Sequence, residues 1–259
     1  MFFLYRWYLL IVYQPLLNIL LGTYGLADKA LRQDINLGTV LIALTLLFRL
    51  FWLPVSIASG RSYKEKKAIE EQLGKIKEQF SHNPQERKQE IQKANKISKT
   101  TAFFSSLNLI VHTLITIALI RLFGYGIEKD TNLLYSFVTK PSQINVLFSN
   151  TQLLNQRSWF LSLILALCVF LYEVITSQLS YNKSRQDVKI QIGLPIIAFI
   201  TSLFIPSGAT LFLITTLSFS VIFTLVKQLY FWNLSLGEKT KPTAQPQAAK
   251  EEKTVAPAK

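Results

Sequence analysis

Cysteine, histidine and methionine are nearly missing from this 259-residue chain, which holds one Cys, two His and one Met. The lone Cys168 lies in an apolar run; it excludes an intrachain disulfide and reads as a packing residue. No CxxC, HExxH, GxGxxG or Walker-type stretch occurs, so the sequence offers no basis for a metal centre, a nucleotide site or a bound cofactor. No Ser–His or paired-Asp arrangement recurs at a plausible spacing, so no catalytic residue is assigned and an enzyme is not expected. Acidic residues are scarce too, 15 Asp+Glu against 28 Lys+Arg, for a formal charge of +13. With 50% hydrophobic residues and a mean hydropathy of +0.29, the chain is too apolar for an ordinary soluble domain. At 17% charged it is too polar to face lipid throughout. The basic excess is expected in cytoplasmic loops beside anionic lipid, not in sequence-specific nucleic-acid recognition.

Long apolar runs fill the rest. Spanning candidates are Leu37–Ile57, Thr101–Phe123, Trp159–Leu179, Ile190–Ile205 and Ala209–Trp232, since about 20 apolar residues cross a bilayer as a helix. The last two are joined by Ile205-Pro206-Ser207-Gly208, a tight turn that makes them a helical hairpin. Pro195 predicts a kink or a thin crossing in the fourth. The N-terminal stretch MFFLYRWYLLIVYQPLLNILL is crowded with aromatics and holds Gln14, Pro15 and Asn18. Its apolar start before Arg6 and the lack of a small-x-small site argue against a cleaved signal peptide. It reads as an interfacial helix with Tyr5, Trp7, Tyr8 and Tyr13 at headgroup level, a sixth span being the other reading.

Loop charge sets an orientation. Arg61, Lys64, Lys66, Lys67, Lys75, Lys77, Arg87, Lys88, Lys93, Lys96 and Lys99 crowd the first loop, and Lys183, Arg185 and Lys189 the Tyr181–Lys189 connection. The segment from Gly124 to Ser158 carries only Lys129, Lys140 and Arg157. The positive-inside rule then puts the N-terminus and that segment outside, and both basic loops and the C-terminus in the cytoplasm. Within the first loop, Ile69, Leu73, Ile76 and Phe80 recur at helical spacing, Ser81–Pro84 breaks the pattern, and Gln85–Lys99 resumes it. The expected fold is an all-α polytopic membrane protein with five transmembrane helices. Its parts are an N-terminal interfacial helix and lead-in (1–35), a first span (36–57) and a cytoplasmic helical hairpin (58–100). Four further spans (101–232) with an external loop (124–158) and a disordered basic tail (233–259) follow.

Arg49 stands inside the first apolar run. A guanidinium in hydrocarbon costs roughly 2.5–3.5 kcal/mol or more, so such a residue is expected to face protein or a water-filled cavity and to serve function. Thr45 lies one turn earlier on the same face, and Asn108, His112 and Thr116 fall four apart on one face of the second run. Glu173, on the third run, sits at a depth similar to Arg49 and is a candidate partner for it; snorkelling to the inner interface is the alternative. Thr215 and Thr216 on the last run line a cavity or simply pack helices. For His112 a packing role, and for Thr45 a bond to its own backbone, stand beside the cavity reading.

These features together resemble the YidC insertases, over about residues 13 to 230. Tyr13-Gln14-Pro15-Leu16-Leu17-Asn18 is similar to the opening motif of compact members. Leu44 to Pro54, with Arg49 five residues before the proline, looks like the first core span, followed by the charged hairpin. Ala118 to Phe123 looks like the close of the second span, and Pro195 with Pro206-Ser207-Gly208 like the final hairpin. The chain departs from the family at Ser98–Leu109, which lacks the usual Asn-Pro, Gly and Cys-Leu-Pro lead-in, and at His112, where a glutamine is usual.

The resemblance implies a membrane protein insertase and chaperone of a bacterial inner membrane. It moves polar segments of nascent membrane proteins through a cytoplasm-open groove with an essential Arg49. The hairpin, with Lys64, Lys66, Lys67, Lys75, Lys77, Arg87 and Lys88, is implied to capture nascent chains or meet the ribosome, signal recognition machinery or general translocon; a merely solvated face is the other reading. The competing function is a small ion or anion transporter or channel, but the hairpin has no use there and no inverted repeat is found. A passive assembly scaffold is a third.

Overall fold

Apolar sequence with few interior breakers folds here as helices. The computed structural model describes residues 2–31, 35–58, 72–76, 78–80, 83–94, 99–141, 144–148, 152–178 and 185–239. The chain opens with α1 (Phe2–Tyr8), one wide π-helical stretch (Leu9–Tyr13) and α2 (Gln14–Leu31), which run on as a continuous rod. Pro15 has no N–H to give an upstream carbonyl, and the widened turn before it absorbs the mismatch. Helix α3 (Leu37–Phe51) ends at Trp52, whose N–H donates to the Phe48 carbonyl at 2.8 Å, and α4 (Leu53–Ala58) starts afresh. The break falls just ahead of Pro54, whose ring disfavours helical backbone in the residue before it.

In the basic loop, residues 72–76 and 78–79 are helical and α5 (Pro84–Ala94) follows. Proline at the first helical position, Glu86 in the first turn and Lys93 in the last suit the helix ends. Lys64, Lys66, Lys67 and Lys77 lie outside the described residues, as does residue 240 onward. Helix α6 (Lys99–Tyr125) leads into a 3-10 helix (Ile127–Leu133). The segment beyond carries a two-stranded antiparallel ladder, β1 (Leu147–Phe148) against β2 (Gln152–Leu153), with Leu147 opposite Leu153. Helices α7 (Trp159–Gln178), α8 (Arg185–Ser202) and α9 (Ser207–Lys239) complete the bundle.

Tyr5–Ala30, Phe103–Tyr125, Trp159–Thr176 and Ser207–Tyr230 are long and apolar enough to cross a membrane; Leu37–Phe51 and Gln191–Ser202 are shorter apolar helices. The N-terminal stretch, read from sequence as interfacial, therefore has the length of a span. The first expected span is shortened by its break at Trp52. Helices α8 and α9 meet at a tight turn as expected, yet both pack mainly on α7 instead of on each other. Helix α9 also packs along α3 and α6, which makes it the hub of the bundle.

Burial is lopsided along the bundle axis. The core gathers Tyr13, Leu17, Leu20, Leu21 and Tyr24 of the N-terminal rod with the first turns of α3 (Leu37, Val40, Leu41), the last turns of α6 (Ala118, Leu119, Leu122, Phe123) and the start of α9 (Ala209, Leu211, Phe212). On α7 the buried residues are likewise the early Leu161, Ser162 and Leu165. Away from that end the buried side chains include the polar Thr45, Arg49, Thr215 and Thr216, while Leu109, Leu167 and Val226 present apolar surface.

Candidate functional site

Helix α3 sets the site by its four-residue periodicity. Leu37, Leu41, Thr45 and Arg49 fall on one buried stripe, so polarity rises along it from the tightly packed end, while Leu47, Leu50 and Phe51 lie exposed. Thr45 is 3% and Arg49 8% exposed. The Thr45 hydroxyl donates to the Leu41 carbonyl at 2.6 Å, the backbone bond expected as its alternative role. The Arg49 Nε has no hydrogen-bond partner among the described residues, so this buried cation keeps donor capacity to give.

The second span meets α3 through its aromatics. Phe48 and Trp52 stack at 5.6 Å between ring centroids, and Phe48 meets the edge of His112 at 6.1 Å. The Trp52 indole N–H donates to Asn108 Oδ1 at 3.2 Å. His112 Nδ1 lies 2.7 Å from the Asn108 carbonyl; a carbonyl only accepts, so Nδ1 carries the hydrogen and Nε2 faces inward as an unpartnered acceptor. Thr116 donates to the His112 carbonyl at 2.8 Å. Asn108, His112 and Thr116 thus do share a face, each half-buried. On α9, Thr215 donates to its own Leu211 carbonyl at 2.8 Å, whereas the buried Thr216 Oγ1 has no partner. Unpartnered polar atoms therefore occur on each of the three packed helices α3, α6 and α9.

Glu173 of α7 forms no ion pair with Arg49. Among the described residues the pairs are Lys93–Glu90 at 2.6 Å and Arg121–Asp130 at 3.6 Å. Tyr172, one residue earlier, is the group on α7 within electrostatic reach of Arg49, and Glu173 acts on Tyr172 in turn. Sequence reasoning missed Tyr172 because a tyrosine in an apolar run carries no anomaly; its spacing one turn past Cys168, which contacts Ser218 of α9, is the only local signal. Phe48 and Trp52 were missed for the same reason. In the basic loop Lys75 and Lys88 are exposed and Arg87 is partly covered.

Among the described residues no group of three His, Cys, Asp or Glu side chains could hold a metal ion. What the arrangement offers is a cation on α3, a ring acceptor on α6 and a hydroxyl on α9, each with an unpartnered polar atom among the described residues. A comparison with curated proteins returns no significant match. The family described as 60Kd inner membrane protein matches residues 29–233, which takes in Arg49 and every helix from α3 to most of α9. The chain belongs to that family, the YidC insertases, and is a multi-pass membrane protein of a non-enzymatic insertase family whose substrates are nascent membrane proteins.

Proposed function

We propose that the chain moves short polar segments of nascent membrane proteins across the bilayer along a hydrophilic groove floored by Arg49. The observation that carries this reading is the buried Arg49, with no carboxylate paired to it and Nε unpartnered among the described residues, set apart from the end of the bundle where the apolar core gathers. An unpaired buried cation costs stability. It is useful where an incoming acidic or hydrated segment supplies the missing partner, since a polar group left bare in hydrocarbon costs several kcal/mol. Thr45, Asn108, His112, Thr116, Tyr172, Glu173, Thr215 and Thr216 line the path in this reading.

The loosely packed end faces the cytoplasm, with the N-terminus outside and the C-terminus inside, as the loop charges favour. Five core helices, α3 with α4, α6, α7, α8 and α9, cross the bilayer. The basic loop stands as a helical hairpin where lysines including Lys75 and Lys88 meet nascent chains, the ribosome, signal recognition machinery or the translocon, and anionic lipids. The test is reconstitution of the full chain in liposomes with a single-span substrate bearing a short acidic tail. Insertion that needs the protein and weakens without the Arg49 charge supports the reading; a substrate that stays outside in its presence overturns it.

A further inference from the structure

The opening motif Tyr13–Asn18 grips the segment that follows α6. The Tyr13 hydroxyl donates to the Asp130 carboxylate, and Gln14 Nε2 donates to the Leu133 carbonyl at 3.1 Å. Asn18 uses both ends of its amide: Nδ2 donates to Leu133 at 3.1 Å and to its own Gln14 carbonyl at 2.7 Å, while Oδ1 accepts the Tyr135 N–H at 2.6 Å. Asp130 also lies 3.6 Å from Arg121, whose guanidinium sits 4.6 Å above the Tyr13 ring. Farther along α2, the Tyr24 hydroxyl accepts the Asn145 N–H at 3.0 Å. One side of the N-terminal rod thus holds the segment at residues 130, 133, 135 and 145.

That segment covers two helix ends. The Asn145 carbonyl accepts the Leu37 N–H at 2.9 Å, and the carbonyls of Gln156 and Leu154 accept from Ser207 at 2.8 Å and Gly208 at 2.9 Å. Leu37 opens α3 and Ser207 opens α9, so these are N–H groups that a helix cannot satisfy for itself. Phe148 lies over Gly38 so closely that an added Cβ would come within 2.7 Å of its ring. Ile127 and Leu154 are buried beneath.

We propose that Asn18 is a positioning residue of a fixed seal: it pins residues 133–135, and with them 144–148 and 154–156, over the ends of α3 and α9 and so keeps the Arg49 groove open to one side only. The inference rests on the groove reading above. A seal held by backbone bonds alone would part easily where water competes for them. Two side-chain bonds from the buried Asn18 amide, to Leu133 and Tyr135, hold it shut, while its third bond, to Gln14 of its own helix, fixes the amide's orientation.

The experiment follows a single cysteine placed at the half-buried Thr116 in a Cys168→Ser background, labelled by an impermeant maleimide in right-side-out and inverted membrane vesicles. With Asn18 intact, labelling is expected from the cytoplasmic side alone. Asn18→Leu is expected to raise labelling from the opposite side about tenfold, the effect of losing little more than one such bond. Asn18→Gln, which keeps the amide, should recover much of the barrier. Tyr24→Phe, which keeps the ring and loses the acceptor for Asn145, should leak in the same direction. If Asn18→Leu and Tyr24→Phe both label from the cytoplasmic side only, in protein with an unchanged thermal transition, the seal proposal is overturned and the groove stands. If the Asn18-intact protein labels equally from both sides or from neither, the groove reading itself fails.

Discussion

Replacing Arg49 by leucine should separate two quantities that move together in most core mutations. The guanidinium is 8% exposed and its Nε bonds to nothing among the described residues, so its loss removes a desolvation cost and breaks no ion pair. Thermal unfolding in detergent is therefore expected at the same temperature or higher. Insertion should suffer. Two unit charges about 4 Å apart at an effective dielectric constant of about 20 attract by about 4 kcal/mol. Desolvating the substrate carboxylate takes back part of that. What remains is about 1.5–3 kcal/mol, the usual worth of a hydrogen bond to a charged group, or about 10- to 100-fold in the rate at which an acidic-tailed substrate inserts. Proteoliposomes with matched substrates, one bearing an acidic tail and one a neutral tail, read this directly. Arg49→Lys should retain part of the activity, because it keeps the charge but not the planar fork. The reasoning fails if Arg49→Leu inserts the acidic tail at the original rate, or if both tails slow by the same factor.

Tyr172→Phe removes a hydroxyl on α7 that interacts electrostatically with Arg49 and should slow insertion about two- to fivefold, in keeping with one modest polar contact; an unchanged rate would remove Tyr172 from the path. Arg49→Glu combined with Glu173→Arg should remain inactive in a complementation assay, because no ion pair joins the two; recovery would show that they do meet. Trp52→Phe leaves Asn108 Oδ1 without its indole donor and should lower stability by about 0.5–1.5 kcal/mol, measured as a thermal shift. Gly208→Ala would place a Cβ 2.4 Å from the Phe123 ring and should destabilise by about 1–3 kcal/mol, or more if the ring cannot move; a neutral result would mean α9 sits less tightly on α6 than described.

Much of this was legible in sequence wherever the signal is local. A charge inside an apolar run marks Arg49, and its four-residue spacing from Thr45 puts both on the stripe that the fold buries. The face shared by Asn108, His112 and Thr116 follows from the same geometry. The break at Trp52 was obscured because hydropathy does not register backbone restriction, although Pro54 was there to be read. The N-terminal rod was read as interfacial on its polar insertions. Those same residues, Gln14 and Asn18, turn out to spend their hydrogen bonds on protein, on partners more than a hundred residues away. No periodicity announces a partner that distant. For the same reason the 124–158 segment looked like plain connecting loop, while it carries a 3-10 helix, a strand pair and the bonds to α3 and α9.

The bonds from Ser207 and Gly208 to the 154–156 carbonyls also impose an order of assembly. During synthesis the covering segment is made before α7, α8 and α9, and it has nowhere to fasten on that side until the last helix arrives. Until then the chain is an unfinished bundle whose closely packed end lacks its second anchor. A ribosome stalled before residue 207 would leave such a bundle in the membrane, with the Arg49 stripe missing the helix it packs against. If the proposed seal holds, the final helix is the one whose arrival completes it, and quality control that recognises incomplete chains would find its cue at that end.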